Sequence, residues 1–346
     1  MQDFYSLTPL LKPESKHIYP IFIPFAGCKK RCAFCAQTLQ TGQQEAELEQ
    51  IEKRLKTSLG ADCATRQKKQ ELAFFGGTFT LMPEYWQKRF LELGKVSNAA
   101  HQLHQLRCST RPDAVSHSQL SLLREYGLKT IELGIQSYDS CSLQASGRGY
   151  TGQTAFEACS RVLENGFNLV IQLMPGMPGQ TIEAFRKDIE LVLELKPQAV
   201  RLYPCLVIAE TELAKLWQSG SYQPWSIEQT ISELAAALLK LNLAGIPVIR
   251  QGLAPEAELT SNILAGPWHP ALGNIIQAKA LYLWLSAKLG NLPSSIVQIH
   301  LPRWLQGIFW GHKGELKPAY EELRITRDKV IFWEWPIVKF TVSGYN

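Results

Sequence analysis

Along most of its length the chain alternates short apolar runs with longer stretches in which apolar residues recur every three or four positions. Six short runs read as strands: IYPIFIPF (18–25), ELAFFG (71–76), LRCST (106–110), TIELGIQ (130–136), LVIQLM (169–174) and AVRLYP (199–204). Between them the period lengthens. Over 181–195, Ile182, Phe185, Ile189, Val192 and Leu193 form one apolar stripe, which predicts a helix packed on a core. Another helix is expected from Ser226, where Ser226 and Gln229 make a capping box, to a stop at Gly245, with PVIRQGL (247–253) as a further strand after it. In QQEAELEQIEKRLK, Glu49 with Lys53 and Glu52 with Lys56 sit at i,i+4 spacing on a solvated helix face. Strand and helix in repeated succession predict an α/β fold with a parallel sheet, whose ligands belong at the carboxyl ends of the strands.

The unusual motifs obey that rule. A three-cysteine loop follows the first strand, GGTFT the second, STRPD the third, QS the fourth, PGMPG the fifth and YPCLVI the sixth, so all fall on one rim. From about residue 253 the texture changes to Pro- and Trp-rich segments such as AGPWHPALGN and LPRWLQGIFWGHKG. The expected division is therefore a core over 1–252 and a carboxyl-terminal extension over 253–346.

Composition narrows the picture. Hydrophobic residues at 45% and charged residues at 19% describe a globular chain with much buried surface, not a disordered one. The net charge of +5 is compatible with an acidic partner such as RNA without requiring one. No run approaches the roughly 20 apolar residues of a membrane span, and the first residues lack a basic start before an apolar core, so the expected location is cytoplasmic, with no membrane partner. In a reducing compartment the eight cysteines point to metal or catalytic use. Cys28, Cys32 and Cys35 are clustered, whereas Cys63, Cys108, Cys141, Cys159 and Cys205 are scattered as small buried hydrophobes. Three thiolates with a fourth ligand would make a closed zinc site, but no second CxxC is present to complete it. An iron–sulfur cluster held by three cysteines instead leaves one iron open.

GCKKRCAFC, a CxxxCxxC with Phe34 before the last cysteine, resembles the signature of the radical S-adenosylmethionine (radical SAM) superfamily. FFGGTFT resembles its glycine motif. GGTFT, TRPD, ELGIQS, RGY, MPGMPG and LYPCLVI are similar to the radical SAM domain of the Elongator catalytic subunit, and GGT and GIQ more distantly to oxygen-independent coproporphyrinogen III oxidase. The resemblance implies a partial, TIM-like (β/α)6 barrel, in agreement with the six strands counted, with the extension as a small carboxyl-terminal appendage. It implies a [4Fe-4S] cluster on Cys28, Cys32 and Cys35, its fourth iron chelated by S-adenosylmethionine (SAM). An external electron donor then drives reductive cleavage of SAM to a 5′-deoxyadenosyl radical. By the same resemblance Gly76, Gly77 and Thr78 hold the methionine amino group, Gln136 and Ser137 contact the ribose region, and Arg148 meets the carboxylate.

Two positions depart from the pattern. Ser109 stands where both relatives carry a glutamate, and Gln172, retained among the cofactor-binding residues, stands where the oxidase carries an aspartate. Each removes a carboxylate that would face the positive charge of SAM, and Arg111 and Asp113 in the same loop are either ligand-binding or structural. Tyr203 and Cys205, after the sixth strand, are either core residues or catalytic candidates that relay a hydrogen atom or tether substrate. Trp268 and His269 face the substrate or pack, while His300 and His312 are read as structural. The length after the barrel leaves no room for the acetyltransferase domain of Elongator-type chains. Three substrate readings remain open: RNA, as in transfer RNA modification; a small molecule such as a tetrapyrrole; and a non-catalytic heme- or RNA-binding protein on the same fold.

Overall fold

The computed structural model describes residues 1–12, 17–42, 47–61, 70–99, 103–290 and 296–343. It divides into two compact units. The larger, Glu14–Trp225 with Leu253–Pro267, carries the rim; the smaller is Met1–Pro13, Ser226–Gly252 and Trp268–Asn346. The units therefore do not part at residue 252, because a helix and a strand ahead of that point, and the first residues of the chain, belong with the carboxyl-terminal segment.

In the larger unit all six expected strands are present: His17–Phe22, Gln70–Phe75, Leu103–Thr110, Leu128–Gln136, Asn168–Leu173 and Ala199–Leu202. They stand in chain order as six strands of one seven-stranded sheet, each paired parallel to the next. The register carries one layer straight across it: Phe74 faces Cys108, Cys108 faces Ile131, and Ile131 faces Leu169. That layer is buried against the helices. Helix Ile182–Leu195 presents Phe185, Ile189 and Val192 inward, as its period predicts, and its first turn is closed by the Thr181 hydroxyl, which accepts from Ala184 N. Alternation along each strand sends Phe75, Arg107, Glu132 and Arg201 to the opposite face.

That second face curls on itself. The Arg201 guanidinium lies 5.4 Å from the Phe75 ring centroid, although the two strands are four positions apart in the sheet. In a flat sheet that separation would be about 19 Å. The face is thus the concave inside of a partial barrel of the TIM-like kind.

The smaller unit has its own sheet, ordered Gln2–Leu7, Ile337–Val342, Ile296–Pro302, Val330–Trp333. One face is covered by helix Leu272–Gly290, whose Trp284 meets Phe340. Helix Ile227–Leu243 begins at the expected Ser226 cap, which accepts from Gln229 N, and strand Val248–Gln251 follows it. Of the scattered cysteines, Cys108, Cys159 and Cys205 are buried as expected. Cys141 is exposed, because it sits in the first turn of a short surface helix, Ser140–Ala145. Cys63 lies outside the described residues.

Candidate functional site

The rim is assembled around two loops pressed backbone to backbone. Thr78 N donates to Ala26 O at 2.7 Å, joining the glycine loop to the cysteine loop. The contact is closed to any side chain: a Cβ on Gly77 would lie 2.2 Å from Ala26 O, and one on Gly27 2.3 Å from Thr78 O, with φ of +46° and +73° respectively. Only glycine fits such an approach at such angles. Gln37 completes the join, its Oε1 accepting from both Phe25 N at 2.7 Å and Gly77 N at 2.9 Å. Sequence reasoning missed Gln37, since a lone glutamine after the last cysteine carries no motif.

The three cysteines come to this rim together. Cys28 Sγ lies 3.3 Å from the Thr78 hydroxyl, which turns Thr78 toward the cysteine loop. Cys35 N donates to Cys32 O at 3.0 Å in the turn between them. Burial pushes the Cys35 thiol up to about 12, with Cys32 and Cys28 adding to the rise, and burial likewise raises Cys28. Cys32 is buried and is met by two cations: Arg148 Nη1 at 3.1 Å and Arg111 Nη1 at 3.7 Å. Among the described residues no three Cys, His, Asp or Glu groups are spaced to hold a single ion. Three thiols brought to one rim, with two guanidinium groups beside Cys32, fit an iron–sulfur cluster, where each sulfur would take a different iron.

Around them, Gln136 has a positive φ of +69° at the end of the fourth strand, and its Oε1 accepts from Gln172 Nε2 at 3.3 Å. Gly76, with φ +80°, makes the turn out of the second strand. Ser137 is enclosed: its hydroxyl donates to Asp188 Oδ2 at 2.7 Å and accepts from Asp139 N and Gln180 Nε2. It braces the loop after the fourth strand. Arg148 is also enclosed, its Nε donating to Tyr150 Oη at 2.8 Å and its Nη2 to Gly134 O. Arg111 forks Asp113 through two bonds of 2.9 and 2.8 Å and donates to Arg148 O, so this pair, left open by the sequence, joins the cysteine site.

Below the rim the inner face carries charge. Arg107 bridges Glu71 at 3.2 Å and Glu132 at 2.9 Å, and Arg201 Nε lies 3.0 Å from the other Glu132 oxygen. Arg201 Nη1 donates to Tyr203 Oη at 2.7 Å, which holds the half-buried phenol in one orientation. Cys205 is buried, and burial pushes its thiol up to about 12. In the smaller unit His269 Nδ1 accepts from Ala271 N and its ring meets His312, while His300 meets Trp333.

Comparison with known proteins gives this site a family. Residues 22–192 match the radical SAM superfamily model and residues 197–281 its C-terminal domain. The chain belongs to the radical SAM superfamily, enzymes whose cofactors are a [4Fe-4S] cluster and SAM. Among its relatives, the tRNA uridine(34) acetyltransferase of Methanocaldococcus jannaschii is 30% identical over 215 residues, 56% of this chain and 38% of that protein. The heme chaperone HemW of Bacillus subtilis is 26% identical over 229 residues, 65% of this chain and 60% of that protein. The archaeal Methanocaldococcus infernus Elp3, with its N-terminus deleted, shares the fold at a TM-score of 0.58 and 22% identity, over 79% of this chain and 63% of that one. The chain thus spans under two-fifths of the length of the acetyltransferase it matches.

Proposed function

We propose that this chain is a radical SAM enzyme acting on a nucleobase of RNA, with Cys28, Cys32 and Cys35 holding the cluster. Gly76, Gly77, Gln136 and Gln172 line the rim where SAM would lie. The cluster and SAM together supply a one-electron cleavage that yields a hydrogen-abstracting radical. The protein's own residues do the rest. Gln37 and the paired glycines hold the two loops at fixed separation. Phe75 and the Glu71, Arg107, Glu132 and Arg201 network fill the inner face beneath the site.

The observation that carries the substrate reading is the state of the inner-face cations. Arg107 and Arg201 are both neutralised by Glu71 and Glu132. A tetrapyrrole with several carboxylates needs free cations to replace its hydration. Above the network stand neutral groups instead, the amides of Gln136 and Gln172 and the phenol of Tyr203, with Ser109 at the end of the third strand. These donors and acceptors suit the uncharged edge of a base. The relation to a tRNA uridine(34) acetyltransferase supports the same substrate class.

The test is anaerobic reconstitution with iron and sulfide, then SAM and dithionite, with 5′-deoxyadenosine assayed alone, with bulk transfer RNA and with coproporphyrinogen. Release stimulated by RNA alone is expected. Stimulation by the tetrapyrrole and not by RNA would overturn the substrate reading. A bound cluster with no release, and heme binding in its place, would favour the chaperone relationship.

A further inference from the structure

The geometry assigns to Arg148 and Arg111 a shared role, that of donating N–H groups to the Cys32 sulfur and so raising the reduction potential of the cluster that Cys32 would bind. The inference rests on the reading that the three cysteines hold that cluster. It departs from the carboxylate-binding role that sequence resemblance implies for Arg148.

A guanidinium grips a carboxylate through two parallel N–H groups on one edge of its plane. In Arg148 three of the five N–H groups are engaged: one on Nε by Tyr150 Oη, one on Nη2 by Gly134 O, and one on Nη1 by Cys32 Sγ at 3.1 Å. Tyr150 cannot easily let go, since its own hydroxyl is anchored on Ile135 O at 3.0 Å. The arginine is buried, so its three bonds fix its plane. Arg111 arrives from the loop after the third strand, held by its fork on Asp113 and by Arg148 O, with Nη1 3.7 Å from the same sulfur. Cys28, by contrast, meets a neutral threonine hydroxyl.

Hydrogen bonds to a cluster's sulfurs, and positive charge beside them, favour the more negative reduced state and move the potential upward. The site also contains its own opposing charge. Asp113 partly offsets Arg111, so removing the carboxylate and removing the guanidinium should act in opposite directions.

The experiment uses the full chain, reconstituted anaerobically, as wild type, Arg148→Lys, Arg111→Gln and Asp113→Asn. Iron and sulfide content, the midpoint potential from an EPR-monitored redox titration, and SAM affinity are measured for each. The expected result is wild-type iron content throughout, a more negative potential in Arg148→Lys and Arg111→Gln, and a more positive one in Asp113→Asn. Should Arg148→Lys fail to fold, the opposite shifts of Arg111→Gln and Asp113→Asn decide the matter alone. Unmoved potentials in a protein that holds its cluster would overturn the inference. A roughly tenfold loss of SAM affinity in Arg148→Lys without a potential shift would return that residue to the carboxylate. A wild type that takes up no iron would instead overturn the cluster reading beneath it.

Discussion

Asp188 illustrates what a single residue does at a distance from the chemistry. It lies on the buried side of helix Ile182–Leu195, where three donors meet it: the Ser137 hydroxyl, Tyr138 N and Gln180 Nε2. Burial pushes its carboxyl up to about 7, and those donors limit the rise. A carboxyl whose folded value lies above its unfolded value binds a proton more tightly when folded. Its contribution to stability is therefore complete below about pH 4 and is lost as pH rises toward 7. Relative to Asp188→Asn, wild-type stability should decline by up to about 1.4 kcal/mol per pH unit within that window and stay level above it. Urea unfolding of both proteins between pH 4 and 8 checks this, and a difference that does not change with pH would refute it. No sequence pattern announced this residue: Asp188 sits among the charged positions of an amphipathic helix. Ser137, by contrast, stood out in the sequence as a cofactor contact, and in the structure its hydroxyl is engaged by Asp188, Asp139 N and Gln180.

Among elements, the contact of the cysteine loop with the glycine loop is the tightest join at the site. Gly77→Ala puts a Cβ 2.2 Å from a backbone oxygen in a loop already held by Gln37, so the loops must separate. Gly220→Ala shares a positive φ, +76°, but has nothing within 4 Å of the added atom. The expected costs are about 1–2 kcal/mol for Gly220→Ala, from the backbone angle alone, and clearly more for Gly77→Ala. Only the second should also lose iron on reconstitution. Denaturant midpoints and iron content measure the two effects separately, and equal behaviour of the two variants would show that the loop contact does not matter. The elements themselves were largely legible, because hydrophobic period and caps such as Ser226 are local signals. Strand Gln2–Leu7 was not legible: its partner is Ile337–Val342 at the other end of the chain, and no local period points so far.

For the whole molecule, the network of Glu71, Arg107, Glu132 and Arg201 exists only because the sheet aligns four strands that the chain visits separately: three are neighbours, and Arg201 reaches Glu132 across the strand between them. Glu132 is its centre, since it alone meets both arginines. Glu132→Gln should destabilise the protein by roughly 3–5 kcal/mol, because it leaves buried guanidinium charge without its counterion. A change under about 1 kcal/mol in chemical denaturation would mean that water or a rearranged Glu71 already neutralises those cations. The six strands, the rim motifs, and the clustering of Cys28, Cys32 and Cys35 follow from the sequence alone, because period, glycine placement and cysteine spacing are encoded within a few residues of one another. The pairing of Arg148 with Cys32, the mutual neutralisation of the inner-face charges, and the union of the first residues with the last segment were decided only by tertiary structure. Each depends on distances between residues far apart in the chain, which the order of amino acids does not express until the sheet closes.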